Sequence, residues 1–288
     1  MKINIVCSDP TWIYGQFIDQ FKKHSEHDIF VNVKMGYDLV HYLPYYEVPK
    51  NPFHPCTGWF SHMESKEPLK TRFFTAAKQV DMAIGHSKKY TDLLKRMGIR
   101  NTEQVMPGVE LNKFVPSSDI YTYSVDQKRP LIVGYVGRTY SSSNRKNPTL
   151  IDKISKLPGI DFRATNGKIP ADKMPDFYNS VDLIISPSTV EGGPMAIQEA
   201  LAVGKPIVCF QSVGVSEEFN FGLIKIPDFN EDKFIEAVEN WRDGALILNP
   251  PKVSAINNMR NQVLPFTWEQ FVKRHDDIWE KVCEKSSI

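Results

Sequence analysis

Ser186-Pro187-Ser188-Thr189-Val190-Glu191-Gly192-Gly193-Pro194-Met195-Ala196-Ile197-Gln198-Glu199-Ala200-Leu201-Ala202-Val203-Gly204-Lys205-Pro206 is the stretch on which the fold turns. The apolar run that enters it, Leu183 to Ser186, reads as a strand, and the glycine pair then lets the backbone approach a neighbour closely. Pro194 suits a first helical turn, and Gly204 ends the helix before a second apolar run from Pro206 to Phe210. Strand, glycine turn, helix and strand make a parallel α/β unit, and the free N–H groups at such a helix start attract an anion. Glu191 lies just before that turn and Glu199 within the helix, so two carboxylates bracket the anion position. Neither can usefully touch a phosphate, so the role open to them is accepting hydrogen bonds from hydroxyls, as on a sugar and a ribose. Taken singly, Glu191 complements a helix dipole and Glu199 is a solvated face residue; the combination with Gly-Gly-Pro and Gly-Lys-Pro points to a site.

Outward from this stretch, short β-branched runs alternate with segments of helical period, which argues for parallel α/β layers rather than a sandwich. Strands are predicted at Ile3 to Cys7, Ile29 to Val33, Trp59 to His62, Met82 to Gly85, Leu131 to Val136, Asp161 to Ala164, Leu183 to Ser186 and Pro206 to Phe210. Helices are predicted over Tyr14 to Lys23, Leu69 to Lys78, Ser87 to Met97, and from a Thr267 cap to about Glu284, while the proline-rich residues 44 to 58 read as loop. At 288 residues the chain exceeds one ordinary core, and the polar, proline-flanked residues 116 to 130 read as an interdomain linker. The expected division is 1–120, a linker at 121–130, 131–265, and a final segment at 266–288.

Composition excludes several classes. With 41% hydrophobic and 24% charged residues and a net charge of +1, the chain is globular rather than disordered. Its longest apolar runs are too short to cross a bilayer, and the N-terminus meets Asp9 and Pro10 too early for a signal peptide, so the cytoplasm is the expected location. Cys7, Cys56, Cys209 and Cys283 stand apart without a C-x-x-C pair, so neither a disulfide scaffold nor a structural zinc site is expected.

A second cluster follows the strand at Leu131: Gly137-Arg138, then Ser141 to Ser143, Asn144-Arg145-Lys146-Asn147-Pro148. Carboxyl ends of parallel strands face the ligand crevice, so Arg138 and Lys146 are placed to add positive charge beside a diphosphate, although alone they make an ordinary solvated loop. The glycines do not form G-x-G-x-x-G, which weakens a dinucleotide-dehydrogenase reading.

These residues resemble the retaining nucleotide-sugar glycosyltransferases of glycosyltransferase family 4. Glu191 and Glu199 match the family's E-x7-E signature, Gly137-Arg138 with Lys146-Asn147 its basic segment, Val105 to Glu110 its P-G-V-D segment, and Phe266-Thr267-Trp268-Glu269 the start of its last helix. The resemblance implies two Rossmann-like domains facing a cleft, the GT-B arrangement, with an unusually small N-terminal acceptor-side domain, a C-terminal nucleotide-sugar domain, and a last helix returning to the first. It further implies that Glu199 binds the ribose, Glu191 the donor sugar's hydroxyls, and Arg138 with Lys146 the diphosphate. Backbone N–H groups around Gly193, Met195 and Ala196 would complete the phosphate cradle, with Gly192 and Gly137 among the donor-binding residues. Where the family commonly has a glycine, Pro194 lacks an N–H donor. Gly167 and Lys168 border the expected base pocket, and backbone contacts there would accept uracil or guanine. In the first domain Gly15 is the one candidate for the family's glycine turn, and His62, ahead of His86, for its donor-sugar histidine.

The co-substrate implied is a nucleotide-diphosphate sugar of UDP or GDP type, with no other cofactor. No Asp-x-Asp occurs, so no metal is expected at the diphosphate. The acceptor is a hydroxyl compound. Residues 66–100 carry nine basic against three acidic side chains, interleaved with Phe73, Phe74 and Tyr90, a pattern that suits nucleic acid, including modified DNA, or an anionic membrane surface as readily as an ordinary solvated helix face. A non-catalytic binder of sugar nucleotides or nucleic acid with the same fold is the rival reading.

Overall fold

The computed structural model describes residues 1–64, 66–117, 129–138, 144–244 and 253–286; the backbone alone is described at Trp12. The chain forms two compact units, Met1–Gly108 with Phe266–Ile288, and Val109–Pro265. Residues 109–117, which the sequence reading gave to the first domain, therefore cluster with the second. Most of the expected linker lies outside the described residues.

The first unit runs β1 (Lys2–Val6), α1 (Trp12–His24), β2 (Asp28–Val31), β3 (Leu39–Tyr42), β4 (Cys56–Phe60), α2 (Leu69–Gln79), β5 (Met82–Gly85), α3 (Lys88–Arg96) and β6 (Thr102–Gln104). Its sheet is wholly parallel in the order β2-β1-β3-β4-β5-β6. The C-terminal helix, Trp268–Ser286, completes it. Thr267 caps that helix, its Oγ1 accepting from the Gln270 N–H at 3.2 Å. One face of this helix meets α1, where Phe21 stacks on Phe271 with centroids 5.3 Å apart. Trp279, fully buried, donates its indole N–H to Thr57 Oγ1 of β4 at 3.2 Å. Burial also pushes His275 down to about 3, so a neutral ring donates from Nδ1 to the Phe271 carbonyl at 2.8 Å.

Gly108 shows why one position tolerates no side chain. A Cβ there would stand 2.3 Å from the Trp268 nitrogen and 2.4 Å from the Thr267 carbonyl carbon, both backbone atoms that cannot yield cheaply. Gly108→Ala is thus expected to lower the unfolding free energy of the first unit by about 1–3 kcal/mol or more, the range of forced overpacking, read as a lower urea midpoint; an unchanged midpoint would mean the two backbones part freely.

The second unit runs β7 (Leu131–Tyr135), α4 (Pro148–Ser155), β8 (Ile160–Ala164), α5 (Met174–Asn179), β9 (Leu183–Ser186), α6 (Met195–Ala202), β10 (Ile207–Phe210), β11 (Leu223–Ile226), α7 (Glu231–Arg242) and α8 (Val253–Asn261). The parallel order is β11-β10-β9-β7-β8. The chain therefore steps from β7 outward to β8 and returns to β9 on the other side. That reversal is a topological switch point, where open α/β sheets leave a crevice at the carboxyl ends of the strands. Two parallel sheets with helices are the α/β architecture expected from the alternating pattern.

Candidate functional site

The switch point of the second unit is flanked by the loop after β7 and the loop after β9, the two segments singled out in the sequence. They are tied together directly: the Thr189 N–H donates to the Arg145 carbonyl at 2.8 Å. Arg145 and Lys146 lie in a 3-10 turn, and Asn147, left-handed at φ 52°, caps α4 by accepting from the Leu150 N–H at 3.3 Å. This short turn delivers two cations to one carboxylate. Lys146 Nζ pairs with Glu191 Oε1, and Arg145 Nη1 stands 3.6 Å from Glu191 Oε2. Glu191 is buried, at 8% exposure, so its charge is stabilised by these cations rather than by water.

Gly137 faces the same ammonium. Its φ of 145° lies in the region that favours glycine, and a Cβ there would stand 3.1 Å from the Tyr135 hydroxyl and 3.9 Å from Lys146 Nζ. Its N–H donates to Thr165 Oγ1 at 3.1 Å, which links the β7 loop to the turn after β8 that holds Gly167 and the exposed Lys168. Arg138 follows and is exposed. Ser141 to Ser143 lie outside the described residues.

On the other side, Pro194 precedes α6 in extended conformation without a side-chain cap, so the N–H groups of Met195 and Ala196 begin the helix as free donors of the kind that bind anions. Glu199, one turn on, accepts from the Tyr178 hydroxyl at 2.6 Å. Burial pushes its carboxyl up to about 6, against the lowering effect of that hydrogen bond and of the Lys113 cation, while the Glu110 charge adds to the rise. Here the sequence pointed at Glu199, and at Glu110 only as the end of the Val105 to Glu110 segment, but gave no sign of Tyr178 or Lys113.

Sequence reasoning also missed Arg145, although it adjoins Lys146, because nothing in the sequence sets which side chain of the turn points inward. Gly214 was missed for a different reason. It opens the 3-10 turn after β10 with φ 56°, and a Cβ on it would stand 2.6 Å from the Gly192 carbonyl oxygen, so the Glu191-Gly192 turn rests on it. A lone glycine carries no such signal in sequence.

Two expected site residues lie in the first unit. Gly15 does not form a glycine turn; it sits in the opening turn of α1, where a Cβ would stand 2.1 Å from the Pro10 carbonyl oxygen. His62 follows β4, with Nε2 3.0 Å from Glu64 Oε1 and Nδ1 3.1 Å from Ser61 Oγ. His86 follows the adjacent β5, fully enclosed and pushed down to about 3 by burial and by the His62 charge. The switch point of this sheet lies between β1 and β3, where the Ser8 N–H donates to Glu47 Oε1 at 3.2 Å; neither residue was singled out in the sequence. In the basic region 66–100, Phe73 and Tyr90 are buried core, so stacking on them is not available, whereas Lys66, Lys70, Lys78, Lys88, Lys95, Arg96 and Arg100 are exposed.

Residues 129–257 match the family model of the glycosyl transferases group 1. No curated protein matches the chain. Among solved structures, Anabaena Alr3699/HepE in complex with UDP superposes with a TM-score of 0.71 at 15% identity, covering 98% of this chain and 100% of that one. Sucrose-phosphate synthase from Thermosynechococcus elongatus gives 0.70 at 14% identity, with 98% of each chain covered. The lipopolysaccharide outer core galactosyltransferase WaaB gives 0.65 at 13%, covering 98% of this chain and 100% of that one. These likenesses establish the GT-B fold of two Rossmann-like sheets, and the matched span makes the second unit a glycosyltransferase domain.

Proposed function

We propose that this chain, a glycosyltransferase enzyme by its matched second unit, moves a sugar from a nucleotide-diphosphate donor to a hydroxyl acceptor with retained anomeric configuration and without Mg²⁺ or Mn²⁺ at the diphosphate. The observation that carries the reading is the convergence of Arg145 and Lys146 on Glu191 at the switch point, beside the uncapped start of α6. A diphosphate entering there meets Lys146, Arg138 and the Met195 and Ala196 amides. Its charge competes with Glu191 for the cations, and the released carboxylate is then available to the donor sugar's hydroxyls. As the anomeric C–O bond breaks, negative charge grows on the leaving diphosphate, and these fixed donors stabilise it more in the transition state than in the ground state. The acceptor oxygen bonds to the anomeric carbon on the face the diphosphate leaves, and its proton passes to a leaving-phosphate oxygen, so no side-chain base is needed. His62 keeps the donor-sugar role implied by resemblance. The exposed cations of residues 66–100 suit a bulky polyanionic acceptor, such as modified DNA, through charge rather than stacking.

UDP sugars are the first donors to test, because Alr3699/HepE is a UDP complex. A thermal-shift screen against UDP, GDP, ADP and TDP sugars is expected to give one clear stabilisation, followed by slow release of nucleoside diphosphate that persists in EDTA and disappears in Glu191→Ala. Tight binding without turnover would favour the non-catalytic binder. Turnover lost in EDTA and restored by Mg²⁺ would overturn metal independence.

Glu199 supplies a pH test. Its carboxyl is raised to about 6, so it is ionised above that pH and protonated below it. Ribose hydroxyls donate best to the charged form, so donor affinity is expected to fall as pH drops through 6. The measurement uses a sugar nucleotide, whose diphosphate has no ionisation in that range, and Glu199→Gln removes the step. An unaltered pH profile in Glu199→Gln would remove the ribose assignment.

A further inference from the structure

At the amino edge of the first sheet, away from the strand ends discussed above, three donor side chains of different chemistry meet. His54 lies two residues before β4, Cys56 is its first residue, and Asp81 stands immediately before the neighbouring β5. His54 Nδ1 is 2.8 Å from Asp81 Oδ2 and 3.8 Å from Cys56 Sγ, and the three donor atoms all lie within 4.8 Å of one another. We propose that His54, Cys56 and Asp81 form a binding site for a divalent cation of borderline softness, zinc above all, distinct from the sugar-transfer site.

The donor set selects the cation. One thiolate, one imidazole and one carboxylate suit Zn²⁺ and Co²⁺, whereas Mg²⁺ and Ca²⁺ prefer oxygen throughout. Spacing agrees with this. Around a tetrahedral cation at about 2.0–2.3 Å from its ligands, neighbouring donors lie roughly 3.3–3.6 Å apart. The sulfur–nitrogen pair is near that separation already. The His54–Asp81 pair must open by about half an ångström, and His54, with 52% of its side chain exposed, is free to turn. Asp81 is held for the purpose by the strands: its Oδ2 accepts the Cys56 N–H at 2.8 Å, and its own N–H donates to the Cys56 carbonyl at 3.0 Å. Such outer hydrogen bonds fix the orientation of a metal-ligating carboxylate. The exposed side of His54 leaves a fourth position to water. Binding replaces the Cys56 thiol proton, which leaves to solvent. No C-x-x-C pair marks this trio in sequence, because its ligands meet at the entries to two neighbouring parallel strands.

Titration of the full chain with Co²⁺ provides the test. One cobalt per chain is expected, with a near-ultraviolet thiolate-to-cobalt charge-transfer band that Zn²⁺ abolishes. His54→Ala, at an exposed position, is expected to weaken cobalt affinity at least tenfold with an unchanged circular dichroism spectrum, and Cys56→Ser to remove the band. Cys283, whose thiol feels the Asp81 charge, is the control: Cys283→Ser should keep the band. Absence of the band at excess cobalt, its persistence in Cys56→Ser, or unchanged affinity in His54→Ala would overturn the proposal.

Discussion

Lys146→Ala is expected to lower kcat/KM for sugar transfer by 10²- to 10³-fold, or about 2.7–4 kcal/mol, the scale seen when one preorganised donor to a developing oxyanion is removed. Two effects combine in that loss. The leaving diphosphate loses a cation, and Glu191, buried and left with Arg145 at 3.6 Å, loses its closer partner. Lys146→Arg separates them by restoring charge without the same reach, and partial recovery is expected. Steady-state kinetics with the donor found by screening decides the matter. A kcat/KM within threefold of the parent, in a folded Lys146→Ala protein, would remove Lys146 from the chemistry.

Trp279→Ala is expected to cost about 3–5 kcal/mol of stability in the first unit, the range for deleting a large buried aromatic side chain. Trp279 packs against Phe21 and His41 and donates to Thr57, so its removal opens a cavity and takes one hydrogen bond from the buried Thr57 hydroxyl, which keeps its contact with His41 Nδ1 at 2.8 Å. The second unit is spared, because its core shares no residue with that cluster. Denaturant unfolding followed by fluorescence should therefore lose its first-unit transition early, while nucleotide binding persists at low denaturant. A midpoint unchanged for both units would mean that the C-terminal helix contributes little to the first.

The strongest sequence signals were those that one local segment sets by itself. Leu183 to Ser186 and Met82 to Gly85 are strands where the apolar runs placed them, and Thr267 caps its helix. What local pattern could not supply was β3, β6 and β11. His41 interrupts the apolar run of Leu39–Tyr42, Thr102–Gln104 is a polar edge strand, and Leu223–Ile226 carries Lys225 in its middle. The start of β4 was hidden among prolines and Gly58, so Cys56 to Gly58 read as loop and the strand predicted at Trp59 to His62 in fact begins at Cys56 and ends at Phe60. The site followed the same division. Glu191, Glu199 and Lys146 stand in readable motifs, whereas Tyr178, Arg145 and Gly214 are partners fixed by tertiary contact across separate loops.

Co-crystallisation of the full chain with its sugar nucleotide bears most directly on the central claim. The expected map has the diphosphate within hydrogen-bonding distance of Lys146 Nζ and the Met195 and Ala196 amides, with ribose hydroxyls on Glu199 and Glu191 turned from the cations toward the sugar. A donor bound elsewhere, or a saturated crystal in which Glu191 still holds Lys146 and the turn is empty, would contradict it.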